Sequence, residues 1–171
     1  GTPGNLRMLR TYVTAEPRVL VLTRPVLEVL ASFISIIHRN PPGSVFDQRL
    51  PQSFRPIDDV RCDALMGAGG DIDRALWTVD ELSKPENAGV GHFLSYADLV
   101  ADPAGALAAI ETFLDLEPHD YDLDHVVNVE PEDDSVYGLA GMHEIRPRIE
   151  RRSTPPEEVL SEYVLRKYGH L

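Results

Sequence analysis

Between Arg18 and Arg39 the spacing of apolar residues changes period. Val19, Leu20, Val21 and Leu22 follow one another without a polar break, the pattern of a strand buried on both faces. After Thr23-Arg24-Pro25, apolar residues recur at Val26, Val29, Leu30, Phe33 and Ile37, which is helical spacing. Pro25 suits a helix start, because the N–H it lacks would have no partner there. A strand therefore ends, a charged residue follows, and a helix leaves. In open α/β sheets that edge is where ligands bind.

The same rules place the remaining elements. A short helix covers NLRMLRTYV near the N-terminus, with Leu6, Leu9 and Val13 on one side. Residues 40–56, rich in proline, read as a loop or lid. Ile57 to Met66 and Ile72 to Leu82 read as helices, and Trp77, beside Leu76 and Val79, is expected in the core. The glycine-rich Gly67-Ala-Gly-Gly70 lacks the lysine of a nucleotide P-loop and reads as a helix C-cap and turn, with a new helix from Asp71. Gly91 to Ser95 forms a second strand. Asp98 and Asp102-Pro103 are expected to cap and start helices, and Ala104 to Leu116 is amphipathic through Leu107, Ile110, Phe113 and Leu114. Pro156 to Tyr168 reads as one last helix with Val159, Leu160, Tyr163 and Val164 on a face. Arg166 and Lys167 in its final turn suit the helix dipole.

Length and charge narrow the classes. A chain of 171 residues is expected to form one domain, 1–171, with a core of its own. No apolar run approaches the roughly 20 residues of a membrane span, and no basic-then-apolar leader opens the chain. The single cysteine, Cys62, excludes an internal disulfide and a cysteine metal cluster, and a cytoplasmic setting is expected. A net charge of −12 argues against nucleic acid or an anionic membrane as partner. The distribution matters more: Ala75 to Ile145 carries 16 acidic residues against one basic residue, Lys84. An anion would have to be held by the arginines that precede this stretch or by those at Arg146, Arg148, Arg151 and Arg152.

Arg24 and Ser32 stand eight residues apart, the arginine after the strand and the serine on the next helix, on a face shared with Glu28, Ser35 and Arg39. A guanidinium fork and a hydroxyl converging on one point suit a phosphate; taken alone, a surface arginine and an ordinary helical serine are the commoner explanation. His119-Asp-Tyr-Asp-Leu-Asp-His125 offers histidines and carboxylates, but its spacing is that of a solvated acidic loop and no metal is expected. Tyr137 to Arg152 is turn-rich and dense in glycine, histidine and arginine.

The string TRPVLEVLASF resembles the segment of sulfotransferases written R-D-P-x-E-V-x-x-S: Arg24, Glu28, Val29 and Ser32 match, Pro25 stands one place early, and the aspartate is missing. HFLSYADLVADPAGALAAIETFLDLE, His92 to Glu117, is similar to that family's strand, Tyr-x-Asp-Leu, Asp-Pro and helix. Thr2-Pro3 is similar to its Lys-Thr-Pro opening, with Gly1 where the lysine would stand. The resemblance implies an α/β, P-loop-NTPase-like parallel sheet flanked by helices, with this chain as the C-terminal two-thirds and the N-terminal strand and phosphate loop outside it. It implies a sulfuryl transfer from 3′-phosphoadenosine 5′-phosphosulfate (PAPS) to a hydroxyl or amine of a carbohydrate or small-molecule acceptor, leaving adenosine 3′,5′-bisphosphate. In that scheme Arg24 and Ser32 hold the 3′-phosphate and Tyr96 lies near the adenine. His143 and Arg146 contact an anion from the late basic segment, and the catalytic base is unassigned. Two alternatives stay open: a non-catalytic nucleotide- or anion-binding remnant of the fold, and a different P-loop-type transferase such as a small-molecule kinase.

Overall fold

The computed structural model describes residues 3–40, 43–151 and 154–171. Expectations for Gly1, Thr2, Pro41, Pro42 and Arg152 lie outside the described residues. The chain is α/β and mostly helical, with a two-stranded parallel sheet. Its contacts divide into two compact units, Gly1–Thr23 with Met66–Tyr121 and Arg24–Leu65 with Asp122–Leu171. Among the described residues no helix is long and apolar enough to cross a membrane.

The sheet-bearing unit contains α1 (Pro3–Tyr12), β1 (Val19–Thr23), α5 (Asp71–Ser83), β2 (Gly91–Ser95), α6 (Tyr96–Ala101) and α7 (Pro103–Leu114). Strand β1 pairs in parallel with β2, Val19 opposite Gly91 through Thr23 opposite Ser95. Its core is Leu6, Val21, Leu82 and Val90, with Leu9, Val19 and Val79 packed against them. The apolar run of β1 is not buried on both faces: Leu20 is 45% and Leu22 57% exposed. The reason is width. On that face α7 reaches β2, where Phe113 stacks on His92 at 5.1 Å, and β1 is left to solvent. Trp77 is likewise exposed rather than core, because α5 turns the row Ile72, Val79 and Leu82 inward and Trp77 projects well off that row. Val13 lies just past the end of α1 and is exposed.

Local chemistry sets the helix starts. Gly69, at φ +79°, makes the turn before α5 and its N–H donates to Asp73 at 2.8 Å. Ser95 caps α6 by accepting from the Asp98 N–H at 3.0 Å, so the serine, not Asp98, is the cap. Asp102 caps α7 by accepting from the Gly105 N–H at 3.0 Å, and Pro103 follows in the first turn.

The helical unit contains α2 (Val26–His38), α3 (Val45–Gln48), α4 (Asp58–Met66), α8 (Pro156–Val159) and α9 (Glu162–Tyr168). Helix α2 buries Val26, Leu30, Ala31, Ile34, Ile36 and Ile37, and α8 and α9 pack against it. Val29 and Phe33, expected in the stripe, are only half-buried. Leu160 is extended at ψ 144° and divides the expected C-terminal helix into α8 and α9. Ser161 restarts the chain as N-cap of α9 and donates its hydroxyl to Asp59 at 2.6 Å.

Asp63 is the anchor for α9. It accepts from Tyr168 at 2.7 Å, Tyr163 at 2.9 Å and Lys167 at 2.9 Å, so Lys167 does more than complement the helix dipole. Burial raises the Asp63 pKa, but the hydrogen bonds from Tyr168, Lys167 and Tyr163 outweigh it and hold the carboxyl below its usual range. A depressed carboxyl favours the folded state above its unfolded pKa of about 4, and that contribution disappears as pH falls through the folded value. Acid titration followed by circular dichroism is therefore expected to loosen α9 below about pH 4. Asp63→Asn should lower stability at pH 7 and flatten this acid step; an unchanged acid profile in the variant would contradict the anchor.

Cys62 lies fully buried on α4, and burial together with Asp58, Asp59 and Asp63 pushes its thiol up to about 12. The native protein is expected to resist thiol reagents at pH 8 and to react fully once denatured in urea. Fast native labelling would show α4 opening locally.

Candidate functional site: an arginine-lined hollow on helix α2

Helix α2 presents Glu28, Ser32, Ser35 and Arg39 at steps of three and four residues, which puts them on one face. Arg24 precedes the helix by two residues, and its Nε donates to Glu28 Oε2 at 3.0 Å. Arg151 reaches the other oxygen, Glu28 Oε1, at 3.2 Å. Glu28 thus steadies the fork of Arg24 from behind.

Beside this face lies a cavity of about 290 Å³. Arg24, Ser32 and Arg39 line it, with Val29, Phe33 and Ile36 as its apolar wall and Gly141, Met142, Glu144 and Arg146 opposite. The opposite wall is held in place by its own bonds. Leu139 is fully buried, and Asn40 both accepts from the Ala140 N–H at 2.7 Å and donates to the Ala140 carbonyl at 3.4 Å. The Val126 N–H donates to the Pro147 carbonyl at 2.9 Å. Gly138 adopts φ +63° with Ser44 so close that a Cβ would stand 3.2 Å from the Ser44 Cα, so a side chain there would be both strained and crowded.

Arg146 carries the most pointed feature of the hollow. Its Nε is buried and has no hydrogen-bond partner among the described residues. A buried donor without an acceptor costs free energy, about 1–3 kcal/mol, until something supplies one. Among the lining groups three guanidiniums (Arg24, Arg39, Arg146) stand against one carboxylate (Glu144), and beside them Arg151 pairs with Glu28, leaving two positive charges. That matches a phosphate monoester near neutral pH, which carries roughly −1.5 to −2.

Of the residues singled out from sequence, Arg24, Ser32 and Arg146 line this one hollow. His143 does not line it. Its ring Nδ1 lies 2.6 Å from Asp134 Oδ1 and 3.1 Å from Glu132 Oε2, and its peptide N–H donates to Asp134 Oδ2 at 3.0 Å. The peptide bond from His143 and then its ring hold the Asp134 carboxyl below its usual range against a smaller cost of burial. His143 thus fastens the wall instead of facing the cavity. Glu132, Asp134 and His143 bring ligand atoms within 4.8 Å of one another, the one such grouping among the described residues, and the His143 ring already contacts both carboxylates. Tyr96 belongs to the sheet-bearing unit, where it opens α6 and is half-buried. The acidic loop from His119 to His125 is largely exposed, with His125 paired to Asp122 at 3.0 Å. Arg39, Glu144 and Met142 were not picked out as site residues. For Arg39 the signal was present, since it shares the helix face of Ser32; for Glu144 no local pattern pointed inward.

A larger hollow of about 410 Å³ lies within the sheet-bearing unit and is lined by Leu6, Met8, Leu9, Val13 and Val19, with Asn5, Tyr12 and Thr78 as its polar members. It carries no charged lining residue and offers an anion nothing. Compared with known proteins, the chain matches no protein-family model, no curated protein and no solved structure.

Proposed function

We propose that the hollow on α2 binds the 3′-phosphate of PAPS and of its product, adenosine 3′,5′-bisphosphate, and that the chain is part of a sulfotransferase with a P-loop-NTPase-like fold. The observation that carries this reading is the meeting of Arg24, Ser32 and Arg146 in one cavity. The guanidiniums suit a phosphate bidentately, and the Ser32 hydroxyl adds a donor. A hollow of about 290 Å³ has room for a phosphate.

In this scheme the 3′-phosphate is a remote handle. Binding energy gained there positions the donor for in-line transfer of its sulfuryl group to a hydroxyl or amine of a carbohydrate or small-molecule acceptor. Cations at the leaving phosphate and a base for the acceptor proton complete such a step; no residue of this chain is assigned to either. Calorimetric titration with adenosine 3′,5′-bisphosphate and with AMP tests the reading. The bisphosphate is expected to bind at least about tenfold more tightly, since only it carries the second phosphate. Equal affinities would contradict it.

A non-catalytic anion-binding module is the second reading. Gly67–Gly70 favours it, because this glycine-rich stretch is a turn into α5 and not a phosphate cradle. A protein that binds the bisphosphate but never releases it from PAPS in the presence of simple alcohol and amine acceptors would support this alternative.

A further inference from the structure

Two charged residues of the hollow take no part in the scheme above. Arg39 closes α2 as its C-cap, and Glu144 lines the same cavity; neither forms an ion pair with a described residue. Arg39 adds a third guanidinium to those of Arg24 and Arg146. A carboxylate in the same cavity would repel a bare anion. The two features become mutually favourable when the ligand is a dianion that also carries a hydrogen-bond donor, because a carboxylate is an acceptor only. Sugar hydroxyls beside a phosphate are such donors.

We propose that Arg39 and Glu144 make the hollow selective for a phosphate monoester flanked by a free hydroxyl. Arg39 joins Arg24 and Arg146 on the dianion, and Glu144 accepts the hydroxyl on the neighbouring carbon. In a ribose 3′-phosphate that group is the 2′-hydroxyl, so the site distinguishes a ribonucleotide from its 2′-deoxy counterpart. The nucleotide identity rests on the function proposed above, whereas the preference for a hydroxyl next to a phosphate does not.

Calorimetric titration of the full chain with adenosine 3′,5′-bisphosphate, its 2′-deoxy analogue, glycerol 1-phosphate and n-propyl phosphate separates the two. The wild type is expected to bind each hydroxylated ligand about tenfold more tightly than its partner lacking the hydroxyl, the scale of one hydrogen bond to a charged group. Glu144→Ala should abolish that preference while tightening inorganic phosphate, and Glu144→Gln, which keeps an accepting oxygen, should retain part of it. Arg39→Ala should weaken all four ligands about tenfold or more with the preference intact. A hydroxyl preference that survives Glu144→Ala, or unchanged affinities in Arg39→Ala, would overturn the proposal. If both bisphosphates fail to bind while glycerol 1-phosphate still exceeds n-propyl phosphate through Glu144, the nucleotide reading falls and this one stands. No hydroxyl preference in either pair overturns it.

Discussion

Asp47→Ala is expected to remove about 3–5 kcal/mol of folding stability, the cost of breaking a buried ion pair by deleting one partner. Asp47 is 1% exposed and accepts from Arg61 Nε at 2.9 Å, and Arg61 is itself buried. Burial lowers the Arg61 pKa, and its hydrogen bonds to Asp47 and Asp58 more than restore it; a guanidinium is basic enough to stay charged when one such partner is lost. Asp58 alone, 30% exposed and shared with His38 at 2.8 Å, then has to hold it. The loss is large against the roughly 5–15 kcal/mol total of an ordinary domain. It also reaches the hollow: Asp47 sits in α3 beside Phe46, whose ring meets Phe33 edge to face at 5.1 Å, and Phe33 is part of the apolar wall. Urea unfolding measures the effect. The double variant Asp47→Leu, Arg61→Met should recover most of the loss, since an apolar pair leaves no charge stranded. A fall below about 1 kcal/mol in the single variant would mean that Arg61 finds water instead.

Arg24→Ala is expected to weaken adenosine 3′,5′-bisphosphate by roughly 2–3 kcal/mol, a factor of about 30–150 in Kd. Among the described residues, Arg24 is the cation of the hollow that a carboxylate already orients, through its 3.0 Å bond to Glu28. Its removal deletes a preset fork rather than a floppy side chain. Arg24→Lys keeps the charge but not the fork and should recover only part of the affinity. Folding should be little altered, because Arg24 is not among the buried residues and its partner Glu28 keeps Arg151. Unchanged bisphosphate affinity in Arg24→Ala would detach this residue from ligand binding.

How far the chain could be read in advance depended on whether a signal was local. Strand β2 and the starts of α5 and α7 follow from short-range chemistry: an apolar run, a glycine turn, an Asp-Pro cap. The place of Ser32 was legible for the same reason, since helical spacing alone puts it on the face of Glu28, which holds Arg24. What was not legible depended on partners distant in sequence. Leu20 and Leu22 read as buried because nothing in an apolar run reports how wide its sheet is. Trp77 read as core because its size, not its angular position on α5, suggested burial. The break at Leu160 and the grip of Asp63 on α9 arise from contacts about a hundred residues apart. His143 and Arg146 sit in one loop and differ only in whether an acidic neighbour has claimed them: Asp134 holds His143, and no described residue holds the Arg146 Nε.

A double-mutant cycle on Arg24 and Ser32 bears most directly on the idea that one phosphate engages both. Adenosine 3′,5′-bisphosphate affinity is measured for the wild type, Arg24→Ala, Ser32→Ala and the double variant. Side chains that share a ligand group should be coupled by about 0.5 kcal/mol or more, the double variant losing less than the two single losses combined. Strict additivity, or a Ser32→Ala variant with wild-type affinity, would mean that the two side chains line the same hollow without serving the same phosphate.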